Sequence, residues 1–283
     1  MMQKPAIDNL PHTPPQRGAA AERKFVEALA RGLDVLRAFA SSNGSLGNQE
    51  IAQRTGLPKA TVSRLTYTLT YLGYLRFVPG SKKYELDTGV LALGYIYLSK
   101  SLIRQIAMPT MTAISKATRT SIGLATRSRL SMDMIYIASV RASESWPIRM
   151  EIGNHIPILS TATGRAWFAA LKEDSRAEVL DYFEQNLPPE RWAKERRALQ
   201  KAISDLDRLG YCTALGDWNK TVHACSVPMR LRDERIYVLN CGGPAEYVTQ
   251  ARIADELGPR LVNGARDILS RLGEDDVLSP ELT

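Results

Sequence analysis

Cysteine is scarce in this chain of 283 residues: only Cys212, Cys225 and Cys241 occur, with no Cys-x-x-Cys spacing. An odd, scattered set excludes a disulfide-stapled framework and fits a reducing cytoplasm. Histidine is equally sparse, with His12 near the start and only His155 and His223 beyond it. His223 with Cys212 and Cys225 lacks the spacing of a tetrahedral metal site. No Gly-x-Ser-x-Gly, His-Glu-x-x-His, phosphate-binding loop or dinucleotide fingerprint is present, so the common hydrolase, metalloprotease and nucleotide chemistries have no anchor. Neither a catalytic activity nor a cofactor nor a metal is expected. The longest apolar run, residues 90–98 with Gly94 inside it, falls short of the ~20 residues of a membrane span. The first twenty residues hold four prolines and no apolar core, so a secretory leader is not expected there. What remains is an ordinary soluble composition, 44% hydrophobic and 24% charged, with length for about two domains. A cytoplasmic protein is expected.

Acidic residues are missing from one stretch in particular. Residues 1–88 carry twelve Lys/Arg against seven Asp/Glu, which is +5 of the whole chain's +7. Within them, positions 54–83 hold six basic residues and no acid, interleaved with Tyr67, Tyr71 and Tyr74. Such a stretch suits a phosphate-facing surface, although a solvated basic face has the same charge.

Patterning gives that stretch a shape. Phe25, Leu29, Leu33, Leu36 and Phe39 recur every three or four residues, which predicts a helix. The run SSNGSLGN breaks it. Asn48 is a good cap for a short second helix, which Gly56 closes, and Pro58 suits the start of a third. That third helix, PKATVSRLTYTLTYLG, turns Val62, Leu65, Leu69 and Leu72 inward. Outward it presents Lys59, Thr61, Ser63, Arg64, Thr66, Tyr67 and Thr70, a hydroxyl-rich basic face of the kind that enters a major groove. Two extended runs about a Pro-Gly turn follow, a hairpin that carries Lys82 and Lys83 at its tip. Three helices and a basic hairpin amount to a winged helix-turn-helix, for which double-stranded DNA is the expected partner.

The segments NQEIAQRTGLPKATVSRLTYTLTYLGYL and KYELDTGVLALG resemble the N-terminal domain of the IclR family of bacterial transcription regulators. The resemblance implies that the helix from Pro58 is the recognition helix. It also implies that a following helix, apolar on much of its circumference over Val90–Leu98, joins two domains and helps pair subunits. Another helix is predicted near 103–116, with Pro109 as a point of kink or restart.

Beyond it the period becomes that of strands: SIGLATRS, MDMIYIASV, PIRMEI, GYCTAL, ACSVPMRL and IYVLNCG. Helices are predicted at 161–171, 175–185, 191–209 and 250–272. Hairpin-like strand pairs between helices indicate an α+β domain with a mostly antiparallel sheet. The division expected is a tail over 1–22, the winged domain over 23–88, a linker helix over 89–103, an effector-binding domain over 104–273 and a tail over 274–283. HIPILSTATGRAWFAAL and SVPMRLRDERIYVLNCGGPAEYVT are similar to the IclR effector-binding domain, which implies a GAF-like fold.

Ser160-Thr161-Ala162-Thr163-Gly164 precedes a helical pattern, and free amides at a helix start attract an anion. A hydroxyl there is also what caps any helix. The resemblance implies a small organic acid whose carboxylate meets Ala162, Thr163 and Gly164. By position it adds Asn240, Gly242, Asp217 and Ala224, with Ile148, Met150 and Ile156 as the apolar wall. It further implies a homodimer or dimer of dimers. The chain departs from the family where Asn240-Cys241-Gly242 replaces serines and where Ala224 stands beside Cys225. An alternative therefore stays open: a thiol-dependent redox sensor or thiol enzyme, with the three cysteines on strands near the pocket.

Overall fold

The structure is a computed structural model and describes residues 24–40, 42, 44–142 and 150–274. The chain divides into two units, one running to Lys100 and the other from Ser101.

The first unit opens with α1 (Glu27–Arg37), β1 (Ser45–Leu46), α2 (Asn48–Thr55) and α3 (Lys59–Tyr71). Strands β2 (Leu75–Val78) and β3 (Lys83–Leu86) form an antiparallel hairpin, and β1 adds to β3. Val35, Phe39, Leu46, Ile51, Val62 and Leu75 make the core. The cap of α2 is Gly47 rather than Asn48, with the Gly47 amide donating to Glu50 Oε2 at 2.7 Å. The sequence offered a better side-chain cap one residue later, but Glu50 reaching back satisfies the end without it. Gly56 ends α2 in the left-handed conformation at φ 69°, which a residue with a side chain resists. Helix α4 (Thr88–Lys100) follows, and none of its residues is buried. The expected packing on several sides of this helix is not supplied among the described residues: Leu91, Leu93, Tyr95, Ile96 and Tyr97 all stand exposed.

The second unit starts with α5 (Leu102–Thr118), which runs through Pro109 as one helix. Then come β4 (Ser121–Arg127), β5 (Asp133–Val140), β6 (His155–Pro157), α6 (Ala162–Ala169), α7 (Glu173–Asn186) and α8 (Pro189–Leu209). Strands β7 (Cys212–Leu215), β8 (Val222–Arg230) and β9 (Ile236–Pro244) complete a six-stranded sheet of order β6-β5-β4-β9-β8-β7, antiparallel throughout. The chain closes with a short α9 (Gln250–Arg252), a π-helical turn over Ile253–Leu257 and α10 (Gly258–Leu272).

Two predicted elements differ. PIRMEI was expected as a strand, yet Met150–Ile152 are irregular and 147–149 lie outside the described residues. The edge of β5 is taken instead by the segment after Gly153, whose φ of 88° turns the chain so that β6 pairs there. Pro157 at the end of β6 lacks a donor, which only an edge strand tolerates. The continuous helix expected over 250–272 is interrupted because Pro259 cannot donate an i→i−4 bond. The π turn also lets Gly258 lie against Tyr211, where an added methyl would sit 2.4 Å from the ring.

Successive strand residues face opposite ways, so the sheet has two distinct sides. On one side Val238 and Ile236 pack with Phe168, Trp167, Phe183 and Leu199 of α6, α7 and α8. On the other, Leu239 lies close to Gly264 of α10, which also approaches Thr110 and Ile114 of α5.

Candidate functional sites

Helix α3 is short, starts directly after Pro58 and carries its inward stripe on Val62, Leu65, Thr66 and Leu69. Lys59, Ser63, Arg64 and Tyr67 are exposed and Thr61 is half-buried. Tyr67 and Tyr71 are the most exposed aromatics of the face, at 72% and 84%. Thr66 departs from the sequence reading. It is fully buried, donates its hydroxyl proton among Val62 O, Ser63 O and Asn48 Oδ1, and ties α3 to the start of α2. The reason is its register with Val62 and Leu69, four residues after one and three before the other, which turns it inward whatever its polarity. Leu72, expected inside, is exposed.

The acid-free stretch separates into two groups. Arg54 donates to Ala38 O, Arg76 pairs with Glu85 at 2.5 Å, and Lys83 pairs with Glu50 at 3.0 Å. Gly47 and then Lys83 hold the Glu50 carboxyl below its usual range by hydrogen bonding to it. Lys83 is thereby a brace between the hairpin and α2. Lys59, Arg64 and Lys82 have no acidic partner among the described residues. Lys82 sits at the hairpin turn with φ 53° and an exposed side chain. Two cations on one helix face and one at the hairpin tip are therefore left for an external anion.

In the second unit the register aligns Gly123, Asn240, Ser226 and Cys212 in one row across β4, β9, β8 and β7. This row lies on the α6 side of the sheet. Tyr136 donates to Asn240 Oδ1 at 3.2 Å, Asn240 Nδ2 donates to Ser226 Oγ at 2.9 Å, and Ser226 Oγ lies 3.5 Å from Thr163 Oγ1. Burial pushes the Tyr136 hydroxyl up to about 12, so it remains a neutral donor at physiological pH.

Thr163 belongs to the first turn of α6, whose cap Thr161 accepts from the Gly164 amide at 3.1 Å. No described group takes up the amides of Ala162 and Thr163, although both residues are buried. Gly164 permits this arrangement, since a methyl there would lie 2.2 Å from Ile158 Cα. Two unclaimed amides thus stand beside a buried chain of hydroxyls and one carboxamide.

A cavity of about 510 Å³ is lined by Ser121, Met150, Val222, Gly242 and Pro244 with Lys220, Thr221 and Glu246 also on its wall, and none of Tyr136, Ala162, Thr163, Ser226 and Asn240 lines it. That volume is within the range of small-molecule sites. Of the residues proposed from sequence, Met150 and Gly242 line it. Ala162, Thr163 and Asn240 are buried, Ile156 joins the apolar core, and Ala224 is half-buried beside Gly242. Ile148 lies outside the described residues. Asp217 is already engaged: its Oδ2 accepts from Arg165 Nη1 at 2.8 Å and from the Leu215 amide at 3.3 Å. Tyr136, Ser226 and Arg165 were not singled out from sequence. Only the cross-strand register brings the first two together.

Arg165 donates to Leu159 O and Thr213 O as well, and its side chain is 8% exposed. It fastens the start of α6 to β7. Replacing Asp217 with asparagine is expected to lower the unfolding free energy by about 1–3 kcal/mol, because a buried guanidinium loses its charged acceptor. Urea titration of the variant checks this, and an unchanged midpoint contradicts it.

The cysteines lie on β7, β8 and β9 as expected, but none of them lines the cavity. Cys225 and Cys241 lie on the α5/α10 side of the sheet, opposite Ser226 and Asn240 in alternation. Cys212 is on the α6 side but fully buried, with its thiol donating to Ala202 O.

Residues 28–79 match the model of the IclR helix-turn-helix domain, and residues 95–270 match that of the bacterial transcriptional regulator IclR C-terminal domain. The HTH-type transcriptional regulator TsaQ1/TsaQ2 of Comamonas testosteroni is 31% identical over 88% of this chain and 89% of its own length. A crystal structure of an IclR family transcriptional regulator from Brucella abortus superposes with a TM-score of 0.81 at 40% identity, covering 93% of this chain and 99% of that one. An IclR homolog complexed with 4-hydroxybenzoate from Microbacterium hydrocarbonoxydans shares the fold at 22% identity, with a TM-score of 0.68 over 87% and 99% of the two chains.

Proposed function

The chain belongs to the IclR family of bacterial transcription regulators, and on that premise we propose that its α3 face reads an operator while its second unit senses a small carboxylic acid. Family membership makes it a ligand-responsive DNA-binding regulator rather than an enzyme. The observation that carries the operator reading is the pair of unengaged cations, Lys59 and Arg64, on a face with Ser63 and Tyr67. Arg64 is suited to a guanine edge, where its fork makes a bidentate contact. Lys59 and Lys82 are suited to phosphates, which set position without choosing sequence.

For the effector, the supporting observation is the pair of free amides at the start of α6, next to Thr163, Ser226, Asn240 and Tyr136. A helix start favours negative charge through its amides and its dipole. The hydroxyls and the carboxamide offer further hydrogen bonds to an oxygen-bearing acid. The related 4-hydroxybenzoate complex is consistent with an acid of that size. The pure protein is expected to gain thermal stability with one member of a panel of aliphatic and aromatic carboxylates, by ~2.7 kcal/mol at 100 times the dissociation constant. A flat response across the panel contradicts the acid-sensing reading and leaves the operator reading standing.

A second copy of the chain is the proposed occupant of the exposed apolar side of α4. One recognition helix covers only a half-site, so a two-fold dimer matches a two-fold operator. A dimer of dimers extends the same symmetry. No described helix is long and apolar enough to cross a membrane.

A further inference from the structure

Cys225 and Cys241 are direct cross-strand partners in β8 and β9. Both strands are paired on each side within the sheet, so the register holding the two residues together is locked. Cross-strand neighbours have Cα atoms about 4.5–5.5 Å apart, inside the roughly 4.4–6.8 Å that a disulfide spans. Thr120 Oγ1 lies 3.1 Å from Cys241 Sγ. Both side chains are fully buried. Cys212 has no thiol neighbour and sits on the other side of the sheet, where burial pushes it up to about 12.

We propose that Cys225 and Cys241 form an oxidisable dithiol which a hydroperoxide converts to a disulfide on the back of the effector-binding sheet. The inference rests on strand register and is independent of the identity of any effector. The two sulfurs have different roles. Thr120 Oγ1 is placed to donate to a Cys241 thiolate, and among the described residues no hydroxyl hydrogen-bonds Cys225 Sγ, so Cys241 is assigned as the attacking sulfur.

In the first step Cys241 sulfur bonds to one peroxide oxygen, the O–O bond breaks, and the other oxygen leaves as water with the thiol proton. In the second, Cys225 sulfur displaces the hydroxyl of the resulting sulfenic acid, the S–S bond forms and a second water departs with the Cys225 proton. Two thiols are oxidised by two electrons and one hydrogen peroxide is reduced to two waters. Burial restricts the reaction to an oxidant of about that size and slows it relative to an exposed thiol. The bond would clamp β8 to β9 directly behind Ser226 and Asn240.

The test treats folded full-length protein with hydrogen peroxide, quenches it, and counts thiols after denaturation. The count is expected to fall from three to one, with Cys225 and Cys241 joined in a single cross-linked peptide and Cys212 free. In Cys225→Ser, a sulfenic acid probe such as dimedone should label Cys241, and in Cys241→Ser it should leave Cys225 unlabelled. Three thiols persisting in peroxide-treated protein that stays folded by circular dichroism, or loss of Cys212 in place of the pair, overturns the proposal. The wild-type count decides the matter even where a variant fails to fold.

Discussion

Gly164→Ala is expected to destabilise the second unit by about 3 kcal/mol, the upper end for forcing extra volume into a packed site. The added methyl would lie 2.2 Å from Ile158 Cα and 2.3 Å from Ile158 O. Both are backbone atoms of a buried residue, so neither can rotate aside. Relief requires the start of α6 to move away from Ile158, just after β6, carrying the Ala162 and Thr163 amides with it. Loss of stability and loss of any carboxylate response are thus expected together. Gly80→Ala in the β2–β3 turn is the matching control, because nothing lies within 4 Å of a methyl there and its φ is outside the left-handed region. It is an exposed turn substitution and is expected to stay within about 0.5 kcal/mol of wild type. Urea unfolding of both variants makes the comparison, and equal midpoints for Gly164→Ala and wild type contradict the packing argument.

Arg64→Ala is expected to remove sequence discrimination at one base pair of the operator, worth ~1–3 kcal/mol. Lys59→Ala is expected to act differently, weakening binding to all sequences alike and flattening the salt slope by about one unit. Neither side chain supports the fold: both are exposed and lack an acidic partner among the described residues. Arg54, Arg76 and Lys83 do not share this property, since each is already bonded within the unit. Fluorescence anisotropy on matched and single-substituted duplexes, repeated across salt, separates the two effects. Identical slopes for wild type and Lys59→Ala would remove Lys59 from the phosphate contacts.

The first unit was legible because its signals are local. Gly56, Pro58 and the Pro-Gly turn each impose a conformation on their own few residues, and helical period supplied the rest. At Thr66 polarity and period disagree, and period prevails: its spacing from Val62 and Leu69 puts it on the buried stripe. At Lys83 the fold adds what charge counting does not show, a partly exposed ion pair with Glu50. In the second unit most strands and helices were visible, yet the order β6-β5-β4-β9-β8-β7 was not. Strand pairing joins residues more than a hundred positions apart, as with Gly123 and Asn240, and no local pattern records it. The Tyr136–Asn240–Ser226–Thr163 chain and the Cys225–Cys241 pair both arise from that register. The amides of α6 were legible, since a hydroxyl-rich turn before a helix announces them. Their neighbours required the sheet.

The central claim, that the exposed face of α3 reads DNA sequence, is tested most directly by selecting duplexes from a random pool with the full-length protein and sequencing those retained. Enrichment of an inverted repeat, with half-sites about 10–10.5 base pairs or a multiple apart, is the predicted result, and one position of each half-site should lose its preference in Arg64→Ala. Recovery of the unselected pool, or the same enriched sequence from Arg64→Ala with every preference intact, would contradict it.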